Sequence, residues 1–138
     1  MWKKEITIKT KATKEQIWTL WSDVKNWKEW DKEVQSSEIN GDFKEGIKGV
    51  IKPLNGPKSE FVLKSVNYPL EFITISNLPL ARMRFTHNLR ENNGELLITH
   101  GVEISGLTTF IFSKLIGEKI VSELPKTLEN LSKKAKLL

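Results

Sequence analysis

The residues best suited to chemistry are His87 and His100, the only two histidines of the chain. Imidazole is the side chain whose ordinary pKa lies nearest neutral pH, so a neutral ring can accept a proton or a hydrogen bond from a ligand. The pair could therefore orient a ligand or perform general acid–base catalysis. The alternative is a pair of core histidines that hydrogen-bond to each other, to water or to backbone, and the sequence leaves both interpretations open.

A tight turn predicts that the two histidines are neighbours. Asn93-Gly94 is a strong type I′ signal, and a two-residue turn sets the register of both flanking strands. In that register His87 lies opposite His100, on the face that carries the apolar residues. The other pairs predicted on this face are apolar: Leu89 with Ile98, Phe85 with Val102, and Met83 with Ile104.

Metal, cofactor and thiol chemistry are not expected. Two histidines fall short of the ligand set that zinc requires, and no carboxylate is predicted beside them. The chain has no cysteine, which excludes disulfides, thiol catalysis and thiolate metal sites and suits a reducing compartment. No GxSxG, Walker or HExxH motif occurs, which argues against the corresponding hydrolase, nucleotide-binding and metalloprotease classes.

The elements before the hairpin begin with a strand. Ile6 and Ile8 alternate with polar residues, as in a half-buried strand. Thr13 followed by Gln16 has the spacing of a capping box, so a first helix is predicted after Thr13. Two tryptophans three residues apart within 26–31 predict a short second helix, since only a helical turn places them on one face.

The rest of the chain predicts a sheet and a long helix. From Val34 onward, short alternating runs separated by Gly, Pro and Asn predict about six further strands. After Gly106 apolar residues recur every three or four positions, which predicts one long amphipathic helix with Thr108 as its cap. Pro125 lacks an amide donor, so we expect a kink between Val121 and Pro125.

This order of elements resembles the START-like, or SRPBCC, superfamily, many of whose members are labelled polyketide cyclase/dehydrase. The resemblance implies an α+β helix-grip fold, in which a curved antiparallel sheet of about seven strands surrounds the C-terminal helix as a single domain over residues 1–138. It also implies a cavity between sheet and helix that opens near the two short helices. The segments that carry the resemblance are Ala12–Asp31, Gly41–Gly46 with Gly49, Arg84–His87, Thr99-His100, Val102–Gly106 and Glu123–Leu131.

Our first hypothesis is that this cavity binds a small hydrophobic or aromatic molecule, such as a lipid. His87 and His100 would form the polar end of the binding site. The residues expected to shape its walls are Met83, Phe85, Phe61, Leu63, Phe112 and Ile116. The tryptophans of the first segment could form an aromatic platform at the cavity mouth but are more often core residues: Trp18, Trp21, Trp27 and Trp30. Trp27 and Trp30 are the expected exceptions, because the resemblance implies that the short second helix lies near the entrance. Asp31 and Glu33 are expected to face water and receive no role.

Two other functions stay open. An enzyme of the same architecture, a cyclase, dehydratase or isomerase, would use one neutral histidine to remove a proton from a carbonyl compound while the other stabilises the enolate. A basic module that binds RNA, a ribosome or a chaperone would use the net charge of +5. The lysines are scattered rather than clustered, so nucleic acid is not the expected partner. No transmembrane run or signal peptide is predicted, and we expect a cytoplasmic monomer or weak homodimer.

Overall fold

Seven antiparallel strands form one curved sheet around a long C-terminal helix in the computed structural model, which describes residues 1–138. The predicted helix-grip architecture is therefore confirmed. The strands lie side by side in the order β1-β7-β6-β5-β4-β3-β2. Their bounds are β1 Trp2–Thr10, β2 Val34–Ile39, β3 Lys48–Pro53, β4 Ser59–Asn67, β5 Glu71–Leu78, β6 Ala81–Asn92 and β7 Glu95–Gly106.

Two short helices follow β1, as predicted. Helix α1 spans Lys14–Ser22, and a 3₁₀ helix spans Val24–Glu29. The capping box is present at the start of α1, because the Gln16 amide donates to Thr13 Oγ1 over 3.1 Å and the Thr13 amide donates to Gln16 Oε1 over 2.9 Å. Both reciprocal bonds satisfy amides that the first helical turn leaves without partners.

The C-terminal helix has three parts: α2 (Thr109–Phe112), a π-helical turn (Ser113–Gly117) and α3 (Glu118–Ala135). Helix α3 continues through Pro125, and the irregular hydrogen bonding lies in the π turn, so the bend expected between Val121 and Pro125 stays a prediction. Pro125 is exposed, so the carbonyl one turn earlier can be hydrated instead of bonded.

The role of Thr108 also differs from the sequence prediction. The Thr108 hydroxyl does not cap the helix and instead donates to the Pro79 carbonyl over 2.6 Å. Gly117 lets the π turn approach the sheet closely, since a Cβ atom there would lie 2.7 Å from the ring of Trp2. None of the helices is long and apolar enough to cross a membrane.

The predicted β6–β7 register is confirmed pair by pair, including His87 opposite His100. On the inward face of β6, Leu89 is buried, whereas Met83, Phe85 and His87 are only partly buried. We call the end of the sheet at the β6–β7 turn the Asn93 end, and the end at the β5–β6 turn the Pro79 end. Along β6 the side chains are thus less buried toward the Pro79 end, although their partners Val102 and Ile104 on β7 are fully buried.

Candidate functional site

A cavity of about 130 Å³ lies between the sheet and α3. The strands contribute side chains from β3 to β7, α3 covers them from the other side, and the 3₁₀ helix and the residues after it supply the remaining wall. Its lining residues are Trp27, Trp30, Asp31, Ile51, Phe61, Thr74, Ser76, Phe85, His87, His100, Gly101, Ile120, Leu124 and Thr127.

His87 is held in one orientation and one tautomer by Phe72. Its ring stacks on the Phe72 ring with centroids 3.8 Å apart and an angle of 3° between the planes. Its Nδ1 lies 3.1 Å from the Phe72 carbonyl oxygen, which can only accept, so Nδ1 carries the proton. Burial lowers the pKa of His87 to about 4, so the ring is neutral at pH 7 and Nε2 is an acceptor.

His100 is held by a different neighbour, the fully buried Trp21. The Trp21 indole Nε1–H donates to His100 Nε2 over 3.2 Å, so Nε2 carries no proton. Burial, and then the nearby His87, lower the pKa of His100 well below its usual value. His100 is therefore neutral at pH 7, with its proton on Nδ1.

The two imidazoles are adjacent but do not hydrogen-bond to each other. Their centroids are 4.7 Å apart and their planes are inclined by 78°. Each ring uses one nitrogen for a bond within the protein, which leaves His87 Nε2 as an acceptor and His100 Nδ1–H as a donor. The cavity wall therefore presents one acceptor and one donor side by side.

Trp30 adds a second donor that has no partner in the protein. Its Nε1–H is buried without a hydrogen bond, and the residue is only 4% exposed. The Trp30 ring lies 6.1 Å from that of His100, between centroids. A buried polar group without a partner costs about 1–3 kcal/mol, so this N–H invites an acceptor from outside the protein. The neighbouring Trp27 differs, because its Nε1–H donates to the Trp21 carbonyl over 2.9 Å.

Further polar groups make this cavity more hydrophilic than predicted. The hydroxyl-bearing residues Thr74, Ser76 and Thr127 are buried and line it. The expectation that Asp31 faces water is wrong, because it lines the cavity together with the two histidines, and burial raises the pKa of its carboxyl. Its Oδ1 accepts a hydrogen bond from the Glu33 amide over 3.0 Å, and this bond lowers the pKa and so opposes the effect of burial. Alternation along β5 places Thr74 and Ser76 on the face of Phe72, a signal that could have identified them.

Six of the ten residues proposed from the sequence line this cavity: His87, His100, Phe85, Phe61, Trp27 and Trp30. The other four, Met83, Leu63, Phe112 and Ile116, do not line it. Leu63 pairs with Thr74 but is fully buried in the core cluster, and Met83 lies beyond Phe85 toward the Pro79 end.

Phe112 and Ile116 precede α3, where the π turn interrupts the regular helical spacing on which the prediction rested. The helix residues that line the cavity lie further along the chain, in α3: Ile120, Leu124 and Thr127. Trp18 and Trp21 are buried, as expected of core residues, and Trp27 and Trp30, the expected exceptions, are buried as well.

A larger open cleft of about 590 Å³ lies at the Asn93 end, between the β1–α1 connection and the β6–β7 turn. Its lining is mostly charged and hydroxyl-bearing, and its side chains bond to each other: Lys9 pairs with Glu95 over 3.3 Å, and Thr10 bonds to Ser132. The cleft leaves no buried polar group without a partner, so the smaller cavity is the better candidate site.

Comparison with solved structures places this chain among proteins of one fold. A protein from Thermus thermophilus matches with a TM-score of 0.74 and 13% identity, over 98% of this chain and 97% of that one. Truncated norcoclaurine synthase from Thalictrum flavum matches with a TM-score of 0.71 and 16% identity, over 96% and 91%. The di-domain ARO/CYC StfQ from the steffimycin biosynthetic pathway matches with a TM-score of 0.78 and 9% identity, over 97% of this chain and 50% of that chain.

These likenesses show the helix-grip fold expected from the resemblance to START-like proteins. No family model and no curated protein sequence matches the chain.

Proposed function

We propose that this helix-grip, START-like domain binds a small molecule, about one aromatic ring in size, that carries a polar group. The cavity volume of about 130 Å³ is close to the ~150 Å³ of an apolar cavity that holds benzene, and below the ~300 Å³ at which drug-sized sites begin. A ring-sized ligand therefore fits without rearrangement, whereas a lipid chain would require the cavity to widen.

The observation that carries the proposal is the indole N–H of Trp30, which has no partner in the protein. The Trp30 ring lies 6.1 Å from that of His100, and each imidazole has one nitrogen that is not bonded to the protein. Trp30 Nε1 and His100 Nδ1 are donors, and His87 Nε2 is an acceptor. A hydroxyl group on a ring can accept from a donor and donate to His87 at the same time. A phenol-like compound thus matches both the apolar walls and the polar end.

The enzymatic alternative receives less support from this geometry. A general base works best when its pKa lies near the working pH, and burial lowers the pKa of His87 to about 4. Such a ring accepts a hydrogen bond well but is a weak base at pH 7. If a reaction does occur, His87→Ala and His100→Ala should each abolish turnover while the fold survives.

The test compares phenol with toluene, which has the same shape but replaces the hydroxyl by a methyl group. Titration of the purified protein, followed by NMR or calorimetry, should show tighter binding of phenol. Trp30→Phe keeps an aromatic ring but removes the N–H, so it should reduce the phenol preference by about tenfold, the equivalent of about 1.4 kcal/mol. Toluene binding should change little.

Trp27→Phe is the matched control, because Trp27 lines the same cavity but its N–H already bonds to the Trp21 carbonyl. This variant should lose about 1 kcal/mol of stability and keep the phenol preference. The proposal fails if neither compound binds the unmodified protein, or if both variants retain the same preference for phenol.

The proposal includes a cytoplasmic location, supported by the lack of cysteine, and a monomeric or weakly dimeric state. Binding to RNA, a ribosome or a chaperone stays a prediction that rests on charge. If it occurs through phosphates, its affinity should fall steeply as salt increases.

A further inference from the structure

Five large apolar side chains lie exposed at the Pro79 end of the sheet. The residues are between 42% and 79% exposed, and we call them the apical patch: Leu80, Leu107, Phe110, Ile111 and Leu115. They come from the β5–β6 turn and from the segment that begins the C-terminal helix. The two segments are joined, because the Thr108 hydroxyl and amide donate to the carbonyls of Pro79 and Leu80 over 2.6 and 3.4 Å.

Leucine is an unfavourable residue for the backbone conformation at position 80. Leu80 has a φ of +56°, in the left-handed region that costs a residue with a Cβ about 1–2 kcal/mol. A glycine or asparagine would adopt that conformation at lower cost and would be better hydrated. The structure instead holds an exposed leucine there, and strain of this kind tends to occur where a segment has a function.

The charged residues within the two segments that carry the patch are all basic, and the acidic residues that flank the second segment are Glu103 and Glu118. Residues 72–90 and 104–117 contain no aspartate or glutamate. Arg82 and Lys114 lie within these stretches, are exposed, and form no ion pair. The apical patch is therefore an apolar surface with an unpaired basic rim.

We propose that the apical patch docks this domain onto the surface of a bilayer that contains anionic phospholipid. The apolar side chains would enter the boundary between headgroups and acyl chains, and Arg82 and Lys114 would lie against the lipid phosphates. A second copy of this chain is a poorer occupant, since a two-fold contact would bring like-charged rims together. A bilayer with anionic lipid offers acyl chains to the apolar side chains and phosphates to Arg82 and Lys114.

The position of the patch fits the rest of the molecule. Ile120 and Leu124, which line the cavity, follow Leu115 by one to three helical turns. Docking through the patch would hold the Pro79 end of the domain against the membrane. The docking itself does not depend on whether the cavity holds a ligand.

The experiment measures co-sedimentation of the full chain with vesicles of phosphatidylcholine, with or without phosphatidylserine. We expect binding to the vesicles that contain phosphatidylserine, weaker binding to phosphatidylcholine alone, and a decrease with added salt. The variant Leu107→Ser/Phe110→Ser should bind at least about tenfold more weakly, because each apolar side chain contributes about 1.5–3 kcal/mol on burial. Arg82→Gln/Lys114→Gln should lose only the preference for phosphatidylserine.

The control places the same change at the other end of the domain. Leu70 and Leu137 are exposed near the Asn93 end, and Leu70→Ser/Leu137→Ser should bind vesicles like the unmodified chain. All substituted residues are exposed, so we expect each variant to fold like the unmodified chain. Urea unfolding checks this. The proposal is overturned if the unmodified chain ignores anionic vesicles, if Leu107→Ser/Phe110→Ser binds normally, or if that variant only converts a dimer to a monomer.

Discussion

At the scale of single residues, the two histidines divide their nitrogens between the protein and the cavity. One nitrogen of each ring is bonded to Phe72 or Trp21, which fixes the tautomer. One nitrogen of each ring is therefore bonded as in a core histidine, whereas contact of the other nitrogen with a ligand stays a prediction. Because the bonding partners differ, the free nitrogens differ too, and the pair offers a donor and an acceptor rather than two equal bases.

The lowered pKa values make stability depend on pH. His87 has a pKa of about 4 when folded and about 6.5 when unfolded, so acidification protonates the unfolded chain first. The free energy of unfolding should be constant above about pH 7 and should fall between about pH 6.5 and 4, by about 3 kcal/mol from His87. His100 acts in the same direction. Urea unfolding across this pH range measures the effect.

The control for this prediction is His87→Phe/His100→Phe, which should lose the decline between pH 6.5 and 4. Asp31 and Glu123 act in the opposite direction, because burial raises the pKa of both carboxyls and protonation then favours the folded state. The difference between the variant and the unmodified chain removes their contribution. Equal slopes for the two proteins would show that the histidines are not buried as neutral rings.

At the scale of elements, β3 needs a glycine so that a cavity-lining ring can pack against it. A Cβ atom at Gly49 would lie 2.4 Å from Phe61 Cζ and 2.7 Å from the Glu38 carbonyl oxygen. Gly49→Ala should therefore push Phe61 toward the cavity, cost about 1–3 kcal/mol of stability and weaken phenol binding. Urea unfolding and ligand titration measure the two effects.

Gly56→Ala is the matched comparison for that variant. Its added Cβ would lie 3.1 Å from Pro53 Cγ, in the β3–β4 turn and away from the cavity wall. We expect little change in phenol binding. If Gly49→Ala bound phenol as well as Gly56→Ala does, Phe61 would not be part of the binding surface.

At the scale of the whole molecule, α3 packs against the core cluster with one part of its length and lines the cavity with another. Leu128 is fully buried in the core cluster toward the Asn93 end. Ile120 is only partly buried and lines the cavity. Leu128→Ala should therefore cost about 2–5 kcal/mol, because it creates a new void among close-packed side chains.

Ile120→Ala should cost clearly less than Leu128→Ala, since the space beside it is already partly empty. It should also enlarge the cavity, so ring compounds bulkier than phenol should bind better to this variant than to the unmodified chain. Chemical denaturation and ligand titration of both variants check these expectations. Equal losses of stability would mean that the interior is filled uniformly.

The sequence by itself determined the order of elements, the capping box at Thr13 and the pairing of His87 with His100. These features depend on local signals: periodicity, a side-chain cap, and a two-residue turn that sets register without further information. The helix-grip fold followed from a resemblance spread over nearly the whole chain. Together they were sufficient to place six of the ten proposed residues at one cavity.

Only the tertiary structure decided which helix residues complete that cavity and which polar groups lack partners. Ile120 and Leu124 of α3 line the cavity, whereas Phe112 and Ile116 of the preceding segment do not, because apolar spacing does not reveal which turns of a helix lie against a cavity. The free Trp30 N–H is likewise invisible in sequence, because hydrogen bonding depends on neighbours distant along the chain. The volume of the cavity depends on how closely the side chains of the sheet and the helix pack together, and only the tertiary structure shows this.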